Sequence, residues 1–329
     1  MALAPSETAP RRNRGPGVVM TGAGGFLGAH LLARFVGAGM SVTLVGPNTG
    51  ESRYTASMVA AGDVRFVRCD ATYDDPDLTR TLEAADALVL CGLGEFGWSS
   101  GLTRGIAEVD GGVMPIARVI GTFARRGKHV VLASSDTVYG ARPRAPVRES
   151  DPTWPQTEAG LIALACEQAV RVCAEREATA TVLRYSTMYG PGEGATREVP
   201  SLIRAALAGH APIFDDDALD ERDYLHVADA VDAAISALRR RADGTYNVGT
   251  GIGTTLAELA SLVVWLTGCS EAPIRRASPE HAVRGSVVLD TSRARQALGF
   301  EARHALADGL KEEVGWIRAT FGSDLKTAA

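Results

Sequence analysis

Lysine is almost missing from this chain: of 34 lysines and arginines only Lys128, Lys311 and Lys326 are lysine. Basic residues gather nowhere except in the short run Arg11, Arg12 and Arg14, and the formal net charge is −5, so no nucleic-acid surface is expected. Cysteine is scarce and unpatterned. Cys69, Cys91, Cys166, Cys173 and Cys269 are odd in number and never form CxxC, which argues against a disulfide framework and for reduced thiols in a cytoplasmic protein. No apolar run approaches the ~20 residues that cross a bilayer, so no membrane partner is expected. Residues 1–16 are polar and proline-containing without an apolar stretch, and read as a disordered tail rather than a signal peptide. No metal site is expected. What remains is 329 residues, 46% of them apolar, enough to cover both faces of a large sheet.

Short β-branched runs alternate with longer helical patterns. Strands are read at 17–21, 41–45, 64–68, 86–91, 129–133 and 180–185, and helices near 25–38, 75–84, 104–126 and 157–177. Near-continuously apolar strands joined by helices require a parallel sheet with right-handed crossovers, so the expected class is α/β: a Rossmann-type doubly wound sheet with a smaller C-terminal substrate lobe. After Gly190-Pro191-Gly192 the elements shorten, with helices near 197–209, 227–240, 255–267 and 305–320 and strands near 221–227 and 244–248. A dinucleotide-binding domain over 17–190, together with parts of 221–250, and a substrate lobe mainly over 191–329 are expected.

The first strand runs directly into Gly22-Ala23-Gly24-Gly25-Phe26-Leu27-Gly28 and then an amphipathic helix. Glycine permits the tight turn and lets backbone N–H groups approach a pyrophosphate at the helix N-terminus. This strand-turn-helix context makes Gly22, Gly25, Phe26, Leu27 and Gly28 candidate cofactor contacts. The second strand ends at Gly46-Pro47-Asn48 without the acid that would grip the adenosine ribose hydroxyls. A 2′-phosphate therefore meets no repulsion there, and Arg53 is close enough in sequence to pair with one, so NADP(H) is favoured over NAD(H). Arg53 as a solvated loop charge stays open.

With these residues in place, the sequence resembles the extended short-chain dehydrogenase/reductase family, also called the NAD-dependent epimerase/dehydratase family, from about residue 17 to 320. TGAGGFLG (21–28) resembles its TGxxGxxG; VRFVRCDAT (64–72) its third strand ending in an adenine-contacting acid, here Asp70 beside Ala71; LASSDTVYG (132–140) its SSxxVYG; LRYSTMYGPG (183–192) its LRxxNxYGPG; and ERDYLHVADAVDA (221–233) its RDFxxVxDVA. The resemblance implies further cofactor contacts at Asn48, Cys91, Gly92, Leu93, Tyr185 and Ser186. It also implies a catalytic Ser, Tyr and Lys. The Ser position is Ser135. Aligning Cys166-Glu167-Gln168-Ala169-Val170 with the family's AEQxV puts Ala159 at the Tyr position and Ala163 at the Lys position, and none of the three lysines has a tyrosine four residues before it.

General acid-base catalysis by one side chain contributes ~10²–10⁴-fold, whereas orienting a hydride donor contributes roughly 7–11 kcal/mol. Reduction of an activated ketone therefore survives loss of the tyrosine, with the proton drawn from water or from a substrate hydroxyl. Oxidation, with which epimerases and dehydratases begin, is less forgiving. Ser135, Asp136 and Thr137 end the fifth strand and face the crevice where such sheets bind ligands. The nucleotide-sugar clamp of the family is half present: Thr187 stands at its Asn position and Arg222 survives, either to bind phosphate or to pin the acidic loop 215–220. Phe96, Trp98, Trp154 and Met188 suit a flat aromatic or polycyclic ketone, or else pack the lobe interface. Tyr185 either lines the nicotinamide pocket or is packed inside. Together these departures resemble an unusual branch of the family, the ketoreductases of antibiotic biosynthesis, angucyclinone polyketide reduction included, that work without the tyrosine. A nucleotide-sugar 4-ketoreductase or epimerase and a non-catalytic nucleotide-binding protein stand as alternatives. The helices at 104–126 and 157–177 leave monomer and homodimer both open.

Overall fold

The computed structural model describes residues 17–46, 52–69, 75–92, 106–124, 127–140, 146–215, 220–276 and 286–325. Strands and helices alternate in the first part: β1 (Gly17–Met20), α1 (Phe26–Gly37), β2 (Ser41–Gly46), α2 (Arg53–Ala60), β3 (Arg65–Arg68), α3 (Pro76–Ala84), β4 (Ala87–Leu90), α4 (Ile106–Phe123), β5 (His129–Ser135), a 3-10 turn at Asp136–Val138, α5 (Glu158–Glu177) and β6 (Thr179–Tyr185). Shorter pieces follow: β7 (Thr187–Tyr189), α6 (Glu198–Leu207), β8 (Ile213–Asp215), β9 (Glu221–His226), α7 (Val227–Arg240), β10 (Gly244–Val248), β11 (Gly253–Thr255), α8 (Leu256–Thr267), β12 (Ile274–Arg276), α9 (Ser292–Leu298) and α10 (Leu306–Leu325).

Seven strands make one parallel sheet in the order β10-β6-β5-β4-β1-β2-β3. Their fully buried runs, such as Ala87–Leu90, explain the near-continuous apolar pattern, because helices cover both faces. On one face Leu31, Leu32 and Phe35 of α1 pack with Ala230, Ala233 and Ala234 of α7 and Leu298 of α9. On the other, Leu78 and Leu82 of α3, Ile120 and Phe123 of α4 and Cys166 and Val170 of α5 close over Leu88, Leu90 and Leu132. The strand order reverses between β1 and β4, and the parallel strands bring the ends of β1, β4, β5 and β6 to one edge, where open α/β sheets bind ligands.

Several elements exceed the sequence reading. The segment after β2, read as loop, carries α2, whose N-cap Ser52 accepts a hydrogen bond from Thr55 N at 3.2 Å. β9, read near 221–227, joins β7 and β11 in a three-stranded sheet and β8 pairs with β12; the three-residue strands β7, β8, β11 and β12 are too short to show a two-residue period. Among the described residues no helix is long and apolar enough to cross a membrane, and no cluster of three metal-ligating side chains occurs.

A third core joins α6, α8 and α10 through Val199, Leu202, Ile203, Leu259, Val263, Leu310 and Ile317. Helix α8 opens with a capping box between Thr255 and Glu258. Gly309 lets α10 lie against Tyr189, whose hydroxyl oxygen would be only 2.2 Å from an added Cβ. One turn further, Glu313 is fully buried, and among the described residues neither of its carboxyl oxygens has a hydrogen-bond partner. Burial, then the charge of Glu193, pushes its carboxyl up to about 8, while burial pushes Glu193 up to about 7.

The folded chain thus holds these protons more tightly than the unfolded one. Their stabilisation is complete below the ordinary value of 4.5 and is lost as pH rises through about 8. Glu313→Gln removes that loss, so the thermal midpoint of the variant relative to wild type climbs from pH 5 to pH 8, by roughly 2–4 °C per kcal/mol recovered. Scanning calorimetry across that range checks it, and a constant offset would contradict the assignment.

Candidate functional site

The edge of the sheet is built from the turn that follows β1. Thr21 N donates to Val89 O at 3.0 Å and Thr21 Oγ1 to Cys91 O at 3.1 Å, tying β1 to the end of β4. Gly22 then takes φ +65°, and a Cβ there would lie 2.3 Å from Cys91 O. Gly28 is as constrained, since its Cβ would lie 1.9 Å from Gly22 O. The turn and the first turn of α1 are therefore pressed together at a spacing only glycine admits. Gly25 caps α1 with no side-chain hydrogen bond and no acid follows in the first turn, which leaves backbone N–H groups and the positive end of the helix dipole for an anion.

Leu27 sends its side chain into the core, so its contribution at this edge is backbone alone, and Phe26 packs edge-on against His30. Thr55 of α2, missed in the sequence, is buried and donates to Ala23 O at 2.7 Å, bracing the turn from below. Its signal was the Ser52 cap. Asn48, Asp70, Ala71, Leu93, Phe96 and Trp98 lie outside the described residues, as does the side chain of Arg53.

At the end of β5 successive side chains diverge, as a strand requires. Ser134 turns inward and donates to Glu167 Oε1 at 2.5 Å. Ser135, half-buried, turns the other way: its Oγ accepts from Thr137 N at 3.2 Å and Thr137 Oγ1 at 2.9 Å, and donates to Asp136 Oδ1 at 3.2 Å. Asp136 is 9% exposed. Burial raises its carboxyl, the Ser135 hydrogen bond draws it partly back and the charge of Asp223 adds to the rise, leaving it at about 7.

Glu167 fixes the register of α5. Arg184 of β6 grips it with two hydrogen bonds, Nε to Oε1 at 2.9 Å and Nη2 to Oε2 at 2.6 Å, and both side chains are buried. Ala163 lies one turn before Glu167 and Ala159 two turns before. Ala163 is buried among Val138, Tyr139, Val147 and Leu289, whereas Ala159 is exposed at the open start of the helix. Tyr139 donates to Asn247 Oδ1 at 2.6 Å and accepts from Arg184 at 2.9 Å, a structural role.

Tyr185 is corrected by the structure: instead of lining the edge it is packed in the core, donating to Ala230 O at 3.1 Å because its register on β6 points it at α7. Arg222 pairs with Glu198 of α6, which also accepts from Tyr224 Oη at 2.8 Å; Asp215, at the start of the acidic loop, pairs with Arg276, and residues 216–219 lie outside the described residues. Burial opposes the charge of Arg222, but the Glu198 carboxylate more than restores it. Asp223 is fully buried and accepts from Thr250 N at 2.8 Å, Thr250 Oγ1 at 2.7 Å and Gly251 N at 2.9 Å, fastening the loop after β10 to β9; Ser186 donates to it from the end of β6 at 3.4 Å. Glu198 and Asp223 were not singled out in the sequence. Thr187 and Met188 sit half-buried on β7, and Trp154, 71% exposed, is held by its backbone N–H on Val138 O at 2.9 Å, beside the 3-10 turn.

Gly22→Val tests the turn. Backbone atoms meet the new side chain on one side and φ is unfavourable, so a stability loss of at least ~2 kcal/mol is expected, with dinucleotide binding weakened beyond about thirtyfold. Thermal unfolding and a fluorescence titration with NADPH read the two effects separately.

Comparison with known proteins agrees with this geometry. The NAD dependent epimerase/dehydratase family matches residues 18–249. A dTDP-4-dehydro-6-deoxy-D-allose reductase of Streptomyces sp is 28% identical over 92% of this chain and 96% of its own length. A UDP-glucose 4-epimerase of Mycolicibacterium smegmatis is 28% identical over 91% of this chain and 98% of its own. Among solved structures, MoeE5 in complex with UDP-glucuronic acid and NAD superposes with a TM-score of 0.79 at 29% identity, over 92% of this chain and 99% of that one. With its seven-stranded parallel sheet and glycine turn, the chain belongs to the NAD dependent epimerase/dehydratase family, the extended short-chain dehydrogenase/reductases, and is an NAD(P)-dependent oxidoreductase.

Proposed function

We propose that this protein is an NADPH-dependent ketoreductase that reduces a flat, aromatic or polyketide-like ketone of secondary metabolism without the family's Tyr and Lys. The observation that carries this reading is the register of α5: with Glu167 clamped by Arg184, the two positions that would face the nicotinamide are Ala159 and Ala163, while Ser135 is kept as a donor to the carbonyl oxygen. Gly22, Gly25, the N-terminus of α1 and the Cys91-Gly92 backbone would hold the dinucleotide, and Asn48, Arg53, Asp70, Ala71 and Leu93 are its remaining contacts by sequence. When bound, the reduced nicotinamide supplies a hydride.

Everything else falls to the protein and its substrate. Orientation of the ketone against the donor is worth roughly 7–11 kcal/mol, and the missing acid only ~3–5 kcal/mol. A reduction that draws its proton from water or a substrate hydroxyl therefore remains feasible, and one that must first oxidise an alcohol does not. Ser135 orients the carbonyl by its hydroxyl, and Thr187, Met188 and the exposed face of Trp154 give the ketone an apolar seat. The pairing of Arg222 with Glu198 weakens the case for a diphosphate there, since a phosphate would have to compete with a carboxylate already in place.

A second reading, a nucleotide-sugar 4-ketoreductase, is favoured by the kinship with a dTDP-4-dehydro-6-deoxy-D-allose reductase and fits about equally well. Calorimetric titration separates them: dTDP and UDP should bind the NADPH-loaded protein no tighter than about 1 mM on the first reading, and micromolar binding supports the second. The bare end of β2 at Gly46 supports NADPH over NADH, although MoeE5 was solved with NAD. NADPH is expected to bind at least tenfold more tightly than NADH, and the reverse ratio would refute the preference.

Restoring the pair by Ala159→Tyr with Ala163→Lys should raise ketone reduction by less than about tenfold, or ~1.4 kcal/mol. A lysine at 163 would have to displace Val138, Val147 or Leu289, and so would not reach its family position freely. A larger gain in kcat, read by the loss of NADPH absorbance, would show that the pair had simply been lost from an otherwise ordinary site.

A further inference from the structure

We propose that Asp136 is the proton store of this site, passing a proton through the Ser135 hydroxyl to the oxygen of the carbonyl being reduced. The inference rests on the reductase reading and names the group that bridges water and substrate in place of the tyrosine.

Five of the six described phenols are engaged elsewhere, and the sixth, Tyr54, is exposed on α2. Tyr139 donates to Asn247, Tyr185 to Ala230 O, Tyr189 to Leu306 O, Tyr224 to Glu198 and Tyr246 to Asp243 O. Burial raises the first four above the ordinary phenol range, and none of the five touches Ser135. The ammonium of Lys128 is bonded to Glu83 O and Ala85 O at the start of β5, the opposite edge of the sheet. Asp136 is in contact: it follows Ser135 in the chain, is nine-tenths buried and shares a 3.2 Å hydrogen bond with the Ser135 hydroxyl. The charged groups facing it from β9 are Asp223, which discourages ionisation, and Arg222, which favours it but is paired with Glu198. Neither donates a hydrogen bond to the carboxyl. Held at about 7, the carboxyl is protonated in about half of the molecules at neutral pH, whereas an ordinary aspartate would be protonated in about one in a thousand.

The contact works in both directions. With Asp136 ionised, Ser135 donates to it and accepts from Thr137. With Asp136 protonated, the carboxyl O–H donates to Ser135 Oγ, the Thr137 hydroxyl yields its place, and the Ser135 hydrogen turns to the carbonyl oxygen. As the carbonyl carbon accepts a hydride from the reduced nicotinamide, the C=O double bond becomes a single bond and its oxygen takes the Ser135 proton. Ser135 takes the Asp136 proton, and the carboxylate left behind recovers one from water.

Asp136→Asn keeps the size of the side chain and removes the transferable proton. With NADPH and 9,10-phenanthrenequinone as the probe ketone, wild-type kcat should fall above about pH 7 through a single ionisation. The variant should lose about a hundredfold at pH 6 and show no such fall. Two readouts need no turnover. The infrared difference between wild type and Asp136→Asn should contain a carboxylic C=O band that disappears near pH 7, and the variant should gain thermal stability relative to wild type as pH rises from about 4 to about 7 and level off above it, because the unfolded chain ionises at 3.8 while the folded one holds its proton to about 7. A variant within threefold of wild-type kcat with the same pH profile overturns the relay and leaves the reductase reading standing, and absence of the titrating band overturns it independently. No turnover of the quinone by wild type at any pH overturns the reductase reading and the relay with it.

Discussion

The buried ion pair between Arg184 and Glu167 holds the arrangement together. It is bidentate, it is sealed from water, and the remaining Arg184 nitrogen donates to the Tyr139 hydroxyl, whose own proton goes to Asn247. Asn247 in turn donates to Val147 O at 2.9 Å. One charge pair thereby joins β6 to α5, to the segment after β5 and to the edge strand β10. A buried pair of this kind contributes little over apolar packing, but removing one partner leaves an unpaired charge inside and costs about 3–5 kcal/mol. Its value here is positional: it anchors α5 against β6, and with it the start of the helix that carries Ala159 and Ala163.

Much of this was legible in the sequence because strong local signals coincided. The strands at 41–45, 129–133 and 180–185 and the helix at 227–240 emerge where their patterns put them, since a strand buried on both faces and an amphipathic helix each leave a composition that little else produces. The glycine turn was legible for a similar reason: Gly22 and Gly28 stand where no Cβ fits. The helix at 53–60 was not legible, because Pro47 and Asn48 signal a turn and eight residues leave too short a period to outweigh them. The three-residue strands β7, β8, β11 and β12 carry no period at all.

The site was legible only in part. Motif spacing proposed roles for Ser135, Ala159 and Ala163, but partners distant in the sequence decide what the side chains do. Arg222 meets Glu198, 24 positions away, and Ser186 meets Asp223, 37 positions away, and no local pattern joins either pair. Tyr185 shows the converse error. A strand-end tyrosine near a cofactor edge invites a functional reading, yet one step of strand alternation decides whether its ring faces the crevice or the core, and here it faces the core.

The place of β10 in the sheet has a consequence for how the protein is made. That strand pairs with β6 from Gly244↔Thr181 to Val248↔Tyr185, so the flank of β6 stays bare until some sixty further residues have been synthesised. A nascent chain emerging at ~5–20 residues per second must shield an apolar ribbon edge for several seconds, an interval in which pairing with another chain competes with closure. During biogenesis, solubility thus depends less on the finished fold than on how quickly α7 delivers its strand to the gap.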